Sequence, residues 1–274
     1  MIGRLPGRLV LLGHPVSHSL SPVFQNAALR HAGIPLTYEL LDVEPSALAE
    51  TLRMLREARA AGNVTIPHKS AVYTACDVLT PVAARVGAVN TFWVDNRGAL
   101  TGDNTDVDGV DALADVIGVR RQACVVACLG SGGAAAALCA AVERWPGTIV
   151  RLAGRSPART RALAERFGDR VQLAESAGAA ARGANLVVNA TPIGMCDSAL
   201  PLAIAALPRD ADVMDLVYRA GETLWVREAR AAGHRAADGC EMLLRQGAVA
   251  FERWFHQTPD VHVMRQALQR AAVG

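Results

Sequence analysis

The chain has 274 residues, of which 51% are hydrophobic, 20% charged and only 4% aromatic. That composition excludes intrinsic disorder and collagen-like sequence, and the length suits one large or two ordinary domains. The formal net charge of +2 is too small to argue for a nucleic acid or an anionic membrane surface as a partner.

In chain order, the amino-terminal stretch carries two Arg before a short apolar run, as a signal peptide would. However, Leu9–Gly13 is too short for its apolar core and no small-residue cleavage site follows. Arg8–Leu12 reads instead as a strand, and Pro22–His31 as a helix with Ser21 at its N-cap and Pro22 at N1. Thr37–Leu41 reads as a second strand. A helix follows from about Pro45 to Ala60, with Leu48, Leu52 and Leu55 on one face. Gly62–Ile66 is a third strand, ended by Pro67, with Thr65 and Lys69 at the turn that follows. Asn90–Val94 and Ala99–Thr101, joined at Asn96-Arg97-Gly98, have the pattern of a hairpin. Around Gly102–Asp111 the sequence turns polar, and a domain change is expected there.

From Ala123 the pattern is strand (Ala123–Leu129), glycine turn (Gly130–Gly133), helix (Ala134–Trp145) and strand (Thr148–Ala153). Further β-type runs lie at Asn185–Ala190 and Asp212–Asp215. This alternation predicts a parallel sheet covered by helices. Ala123–Val142 is uncharged and long enough to span a bilayer, but its glycine-rich centre and weakly apolar Ala-rich half argue against a membrane segment. Two helices, roughly Glu241–His256 and Val261–Ala272, close the chain. The six Cys (76, 124, 128, 139, 196, 240) form no CxxC pair and no metal-type spacing with His. They read as small core residues of a reducing cytosol, with no metal expected.

Gly130-x-Gly132-x-x-Ala135, between a strand and a helix, fits the dinucleotide fingerprint. Missing Cβ atoms let the backbone reach a pyrophosphate, and the helix N-terminus favours its charge. A tight strand-to-helix turn in an unrelated α/β fold is the alternative. At the end of the next strand the acidic residue of NAD enzymes is absent; Arg155 follows Gly154, with Arg159 one turn on. A guanidinium can pair with a 2′-phosphate that a carboxylate would repel, which favours NADP over NAD. Solvated surface arginines are the alternative in a chain so rich in Arg. Of its 28 basic residues, 27 are Arg and the one Lys is Lys69. Arg keeps its proton in a protein whereas Lys can give it up; drift that left one Lys is the alternative reading, and composition by itself favours it, so a proton carrier here needs independent support. Ser19 and Ser21 approach a helix N-terminus, where hydroxyls and amides could hold a carboxylate. With Thr65, Asn90 and Gly102–Asp106 they suggest a small carboxylated or polyhydroxylated substrate.

The motifs GHPVSHSLSP, NVTIPHK, GAVNT, GDNTD, GSGGA, NATPIGM and DGCEMLLRQGA occur in that order. From about Leu11 to Leu268 the chain resembles the shikimate dehydrogenase family. The resemblance implies reversible, NADP-dependent oxidation of the shikimate 3-hydroxyl to 3-dehydroshikimate, a step towards chorismate and aromatic amino acids. It implies an α/β fold of two domains: residues 1–104 plus 241–274 for substrate, and a Rossmann-type domain, 105–240, for NADP. The site would be the cleft they share, with a hinge that encloses both ligands. Matched residue by residue, Lys69 and Asp106 correspond to the catalytic pair. Ser19 and Ser21 would bind the substrate carboxylate. Thr65, Asn90 and Gln246 would hydrogen-bond its hydroxyls, with Tyr218 beside it. Gly130, Ser131, Gly132, Gly133 and Ala134, and Gly154, Arg155, Ser156 and Arg159, correspond to phosphate-binding positions. Leu216, Gly239 and Met242 correspond to nicotinamide contacts. Without the resemblance, Gln246 reads as a core amide bonded to backbone. The chain departs from the family at Glu241 (usually Gly), Ala136 (often basic), Gly154 (usually Asn) and Pro81 (commonly acidic), which bears on cofactor affinity more than on substrate chemistry.

The alternatives are a relative acting on quinate or aminoshikimate, with NAD, and a non-catalytic nucleotide-binding paralogue. The expected partner is the small substrate alone, with no nucleic acid and no membrane. The protein is expected in the cytoplasm as a monomer or homodimer.

Overall fold

The computed structural model describes residues 5–219 and 221–273, so part of the amino-terminal stretch discussed above lies outside the described residues. It divides into two compact units: one runs to Thr105 and resumes at Leu244, and the other is Asp106–Leu243.

The first unit begins with β1 (Leu9–Gly13), α1 (Ser21–His31), β2 (Tyr38–Asp42), α2 (Leu48–Glu57) and β3 (Ala61–Val64). It continues with α3 (Lys69–Ala75), β4 (Val78–Leu79), α4 (Pro81–Val86), β5 (Thr91–Val94) and β6 (Leu100–Asp103). The sheet order is β2-β1-β3-β5-β6-β4; β1 runs parallel to both neighbours, and β5 is antiparallel to β3 and β6. The apolar run of β1 is buried along its whole length, as a central parallel strand requires. Leu48, Leu52 and Leu55 of α2 bury one face in the core with Val10, Phe92 and Leu100.

Three expectations need correction here. Leu20, not Ser21, is the N-cap of α1. The helix has no side-chain cap, because Leu20 is already helical in conformation and Ser21 starts the helix. The helix expected over Pro45–Ala60 opens as a 3₁₀ turn, Pro45–Ala47, and α2 ends at Glu57 because Arg59 reverses the chain with a φ of 50°. Lys69 is not in a turn but opens α3.

The second unit comprises α5 (Asp106–Ile117), β7 (Val125–Leu129), α6 (Gly133–Val142), β8 (Ile149–Ala153), α7 (Pro157–Phe167) and β9 (Val171–Leu173). After these come α8 (Ala177–Ala181), β10 (Leu186–Asn189), β11 (Asp212–Asp215), α9 (Leu224–Ala231) and β12 (Ala236–Ala237). All strand pairs are parallel, in the order β12-β11-β10-β7-β8-β9. Counted from β7 this is the Rossmann order, and the direction of winding reverses between β7 and β10. The stretch Ala123–Val142 is broken into β7, the glycine turn and α6. Among the described residues no helix is long and apolar enough to cross a membrane.

The chain ends with α10 (Cys240–Phe255), which contains the division between the units, and α11 (Val261–Val273), which packs on α1. Trp254 of α10 donates from Nε1 to the Phe92 carbonyl at 3.2 Å and so ties the helix to the first sheet. All six cysteines are free. Cys124, Cys128 and Cys139 are buried, but Cys196 is exposed on the loop after β10 and is not a core residue.

Candidate active site

In the first unit, the loop after β1 is held from β2. Asp42 accepts from the Val16 N–H at 3.3 Å and pairs with His14 Nδ1 at 2.5 Å, and that hydrogen bond lowers the Asp42 pKa. Ser19 and Ser21 follow, with the Ser21 N–H donating to Ser19 Oγ at 3.2 Å. Thr65, half-buried past the end of β3, donates its N–H to the Leu12 carbonyl at 2.8 Å. The adjoining His68 is buried, its Nε2 2.6 Å from the Val43 carbonyl, and Lys69 begins α3 half-buried. The Lys69 carbonyl accepts from the Val89 N–H at 3.0 Å, and Val89 directly precedes Asn90.

Asn90 is buried. Its Oδ1 accepts from the Thr105 N–H at 2.8 Å, and its Nδ2 donates to Thr105 Oγ1 at 3.1 Å and reaches Gln246 Oε1 at 3.4 Å. Thr105 Oγ1 lies 3.5 Å from the same Gln246 oxygen. The structure therefore brings Asn90 and Gln246 together through Thr105, which the sequence marks only as part of the polar Gly102–Asp106 stretch. Asn63 is given no role by the sequence. It is buried behind this group, accepting from the Tyr38 hydroxyl at 2.8 Å and donating to the Asn90 carbonyl at 3.2 Å and Thr91 Oγ1 at 3.0 Å. Such a satisfied polar network fixes its members in one arrangement.

In the second unit Asp106 is the buried first residue of α5, where a carboxylate suits the positive end of the helix. The turn after β7 passes through Gly130 at a φ of +123°, and a Cβ there would lie 2.5 Å from the Ala190 carbonyl oxygen. Gly132 caps α6 with no side-chain hydrogen bond and with open space where a Cβ would stand. Bare amides at the start of a ten-residue helix, faced by open space, fit a pyrophosphate. Ser131 in this turn, and Gly133 and Ala134 at the start of α6, are half-buried.

Past β8, Ser156 caps α7 and Thr160 Oγ1 donates to the Ser156 carbonyl at 2.7 Å. Arg155 and Arg159 are exposed, and neither guanidinium has an ion-pair partner among the described residues. A Cβ on Gly154 would come 2.5 Å from Thr160 Oγ1 and 2.8 Å from Ser131 Oγ. A side chain at position 154 would therefore require the Ser131 and Thr160 hydroxyls to shift.

At the ends of β11 and β12, Leu216 and Tyr218 are half-buried, while Gly239 and Met242 are buried. The Gly239 N–H donates to the Val217 carbonyl at 2.9 Å. Glu241 stands half-buried in the first turn of α10, where its charge complements the helix. The nearby Asp215 carboxyl is fully buried, and that burial pushes its pKa up to about 6.

Residues 11–92 match the family model of the shikimate dehydrogenase substrate binding domain, and residues 239–269 that of the shikimate 5′-dehydrogenase C-terminal domain. A shikimate dehydrogenase (NADP(+)) of Thermus thermophilus is 42% identical over 267 residues, covering 96% of this chain and 98% of that protein. The chain belongs to the shikimate dehydrogenase family. Among solved structures, shikimate 5-dehydrogenase from a second Thermus thermophilus strain, in complex with NADP(H) and shikimate, matches with a TM-score of 0.87 at 39% identity. It covers 96% of this chain and 99% of that one. Quinate dehydrogenase from Corynebacterium glutamicum in complex with NAD matches with a TM-score of 0.86 at 28% identity, over 96% and 98% of the two chains. Members of this fold thus differ in cofactor and substrate, and the side chains of this chain have to choose between them.

Proposed function

We propose that the protein is an NADP-dependent shikimate dehydrogenase, which interconverts shikimate and 3-dehydroshikimate on the route to chorismate and the aromatic amino acids. The observation that carries this reading is one polar constellation on the first unit. There the Asn90–Thr105–Gln246 network stands in the unit that also holds Lys69, Thr65 and the serine loop. In this reading residues 1–104 with 241–274 form the substrate domain, and residues 105–240 the NADP domain.

Ser19 and Ser21 hold the substrate carboxylate. Thr65, Asn90 and Gln246 hold its hydroxyls in one ring orientation, with Tyr218 alongside. NADP, when bound, supplies the two-electron carrier for the carbinol carbon. The amine of Lys69 takes the proton of the 3-hydroxyl as that carbon is oxidised. In the reverse direction its ammonium returns the proton to the carbonyl oxygen and stabilises the developing negative charge. Asp106 is the carboxylate partner of Lys69 in catalysis. The amides at Gly130–Ala134 hold the pyrophosphate, and Arg155, Ser156 and Arg159 hold the 2′-phosphate beside Gly154. Leu216, Gly239 and Met242 flank the nicotinamide. The substrate and cofactor are the proposed partners of a monomer or homodimer, and free cysteines throughout suit the cytoplasm.

The purified protein should reduce NADP⁺ when given shikimate. Arg155→Ala should lower the NADP-over-NAD preference in kcat/KM by about tenfold or more, with the NAD values little changed. A wild-type protein that binds NADPH yet turns over no shikimate would favour a non-catalytic nucleotide-binding role. An unchanged preference in the variant would remove Arg155 from cofactor selection.

A further inference from the structure

One buried acid of the second unit has no part in the roles assigned above. Asp215 ends β11 and is 0% exposed. Its Oδ1 accepts from Asn189 Nδ2 at 2.8 Å and from the Val217 N–H at 3.1 Å, the buried Thr223 hydroxyl also favours its carboxylate, and its Oδ2 has no partner within 3.5 Å among the described residues. Asn189, equally buried, ends the neighbouring β10. Its Nδ2 also donates to the Ile193 carbonyl at 3.0 Å. Its Oδ1 accepts from the Thr191 N–H at 3.0 Å and the Thr191 hydroxyl at 2.6 Å. The Leu216 N–H in turn donates to the Asn189 carbonyl at 2.9 Å.

One carboxyl thus fixes two chain exits at the carboxyl edge of the sheet. The first exit, residues 190–193, lies against the glycine turn: the Ala190 N–H donates to the Leu129 carbonyl at 2.7 Å, and the Ala190 oxygen stands where a Cβ of Gly130 would intrude. The second exit is Leu216–Val217. The first exit flanks the point between β7 and β10 where the strand order reverses, which is where open α/β sheets bind their ligands, and the second leaves the next strand outward, β11. A buried carboxyl with one orphaned oxygen is costly, and an apolar side chain would avoid that cost. The bonds made by its other oxygen account for its presence.

We propose that Asp215 is a positioning residue for the nicotinamide end of the cofactor, acting through Asn189 on residues 190–193 and through the Val217 amide on Leu216–Val217. The inference rests on the reading of Leu216 and Gly239 as nicotinamide contacts.

Steady-state kinetics with NADP and shikimate on Asp215→Ala, Asp215→Asn and Thr191→Val test it. Asp215→Ala should raise KM for NADP by about tenfold or more and leave KM for shikimate within about twofold. Asp215→Asn keeps the accepting oxygen and should stay within about threefold of wild type in both values. Thr191→Val removes a hydroxyl from a half-buried loop position and should raise KM for NADP by a few-fold in the same direction. Equal rises in both KM values, or an Asn variant as impaired as the Ala variant, would overturn the proposal. So would an unmoved cofactor KM in both Asp215→Ala and Thr191→Val; if Asp215→Ala does not fold, an unmoved value in Thr191→Val suffices. A wild-type protein without measurable NADPH binding would break the cofactor-site reading itself, a failure distinct from that of the Asp215 role.

Discussion

Lys69→Ala is expected to lower kcat by about a thousandfold while KM for shikimate changes little. The expectation starts from composition, since Lys69 is the one ammonium in a chain whose other 27 basic residues are Arg. Its place in the fold sharpens the point. It opens α3, and the first turn of a helix is an unfavourable position for a cation, so helix electrostatics do not explain it. Its carbonyl accepts from the N–H of Val89, the residue directly before Asn90. Lys69→Arg keeps the charge but holds its proton and presents a planar fork, and should also lose most of the activity. Initial rates at saturating NADP across a range of shikimate concentrations measure both variants. An active Arg variant would reduce the requirement to positive charge alone, and an active Ala variant would remove the role.

Asp215→Asn is expected to stabilise the protein at pH 8 and to leave its stability at pH 4 nearly unchanged. Burial raises the Asp215 pKa from 3.8 to about 6, and Asp238 is the charged group that pushes it further the same way. The folded state therefore favours the protonated form. The stability this contributes is fully present below 3.8 and is lost as pH rises through about 6. Above that pH the native protein carries a buried carboxylate at a cost of about 3 kcal/mol, which the neutral amide does not incur. Thermal melts of both proteins at pH 4, 6 and 8 should show a gain of several degrees at pH 8 that fades on acidification. A difference independent of pH, or a variant less stable at pH 8, would contradict the assignment.

Elements marked by an apolar run, a turn signal or helical periodicity are legible in the sequence: β1 from its apolar run, the hairpin of β5 and β6, the glycine turn between β7 and α6, and α10. The short elements α3, β4 and α4 are not. They run from two to seven residues and bury so few side chains that no apolar pattern marks them. By contrast, α7 carries a readable pattern, with Thr160, Leu163, Ala164 and Phe167 buried on one face, under a polar composition that hides it. Within the site, residue types and order pointed to Lys69, Asn90 and the glycine turn. Sequence could not show that Gln246 meets Asn90 across 156 positions, nor that Thr105 stands between them. Gly154 reads as a departure from the family, and the sequence does not show that the Ser131 and Thr160 hydroxyls crowd its Cβ position. Asn63 and Asn189 stand out only as the first residues of two family motifs and Asp215 only as a polar residue at a strand end, because their partners lie on neighbouring strands and turns.

The choice of reaction is tested most directly by kcat/KM of the wild-type protein for shikimate and for quinate, each with NADP and with NAD. Ser19, Ser21, Asn90 and Gln246 together with Arg155 lead to the expectation that shikimate with NADP exceeds the other three pairs. A preference for quinate, or for NAD with either substrate, would contradict it.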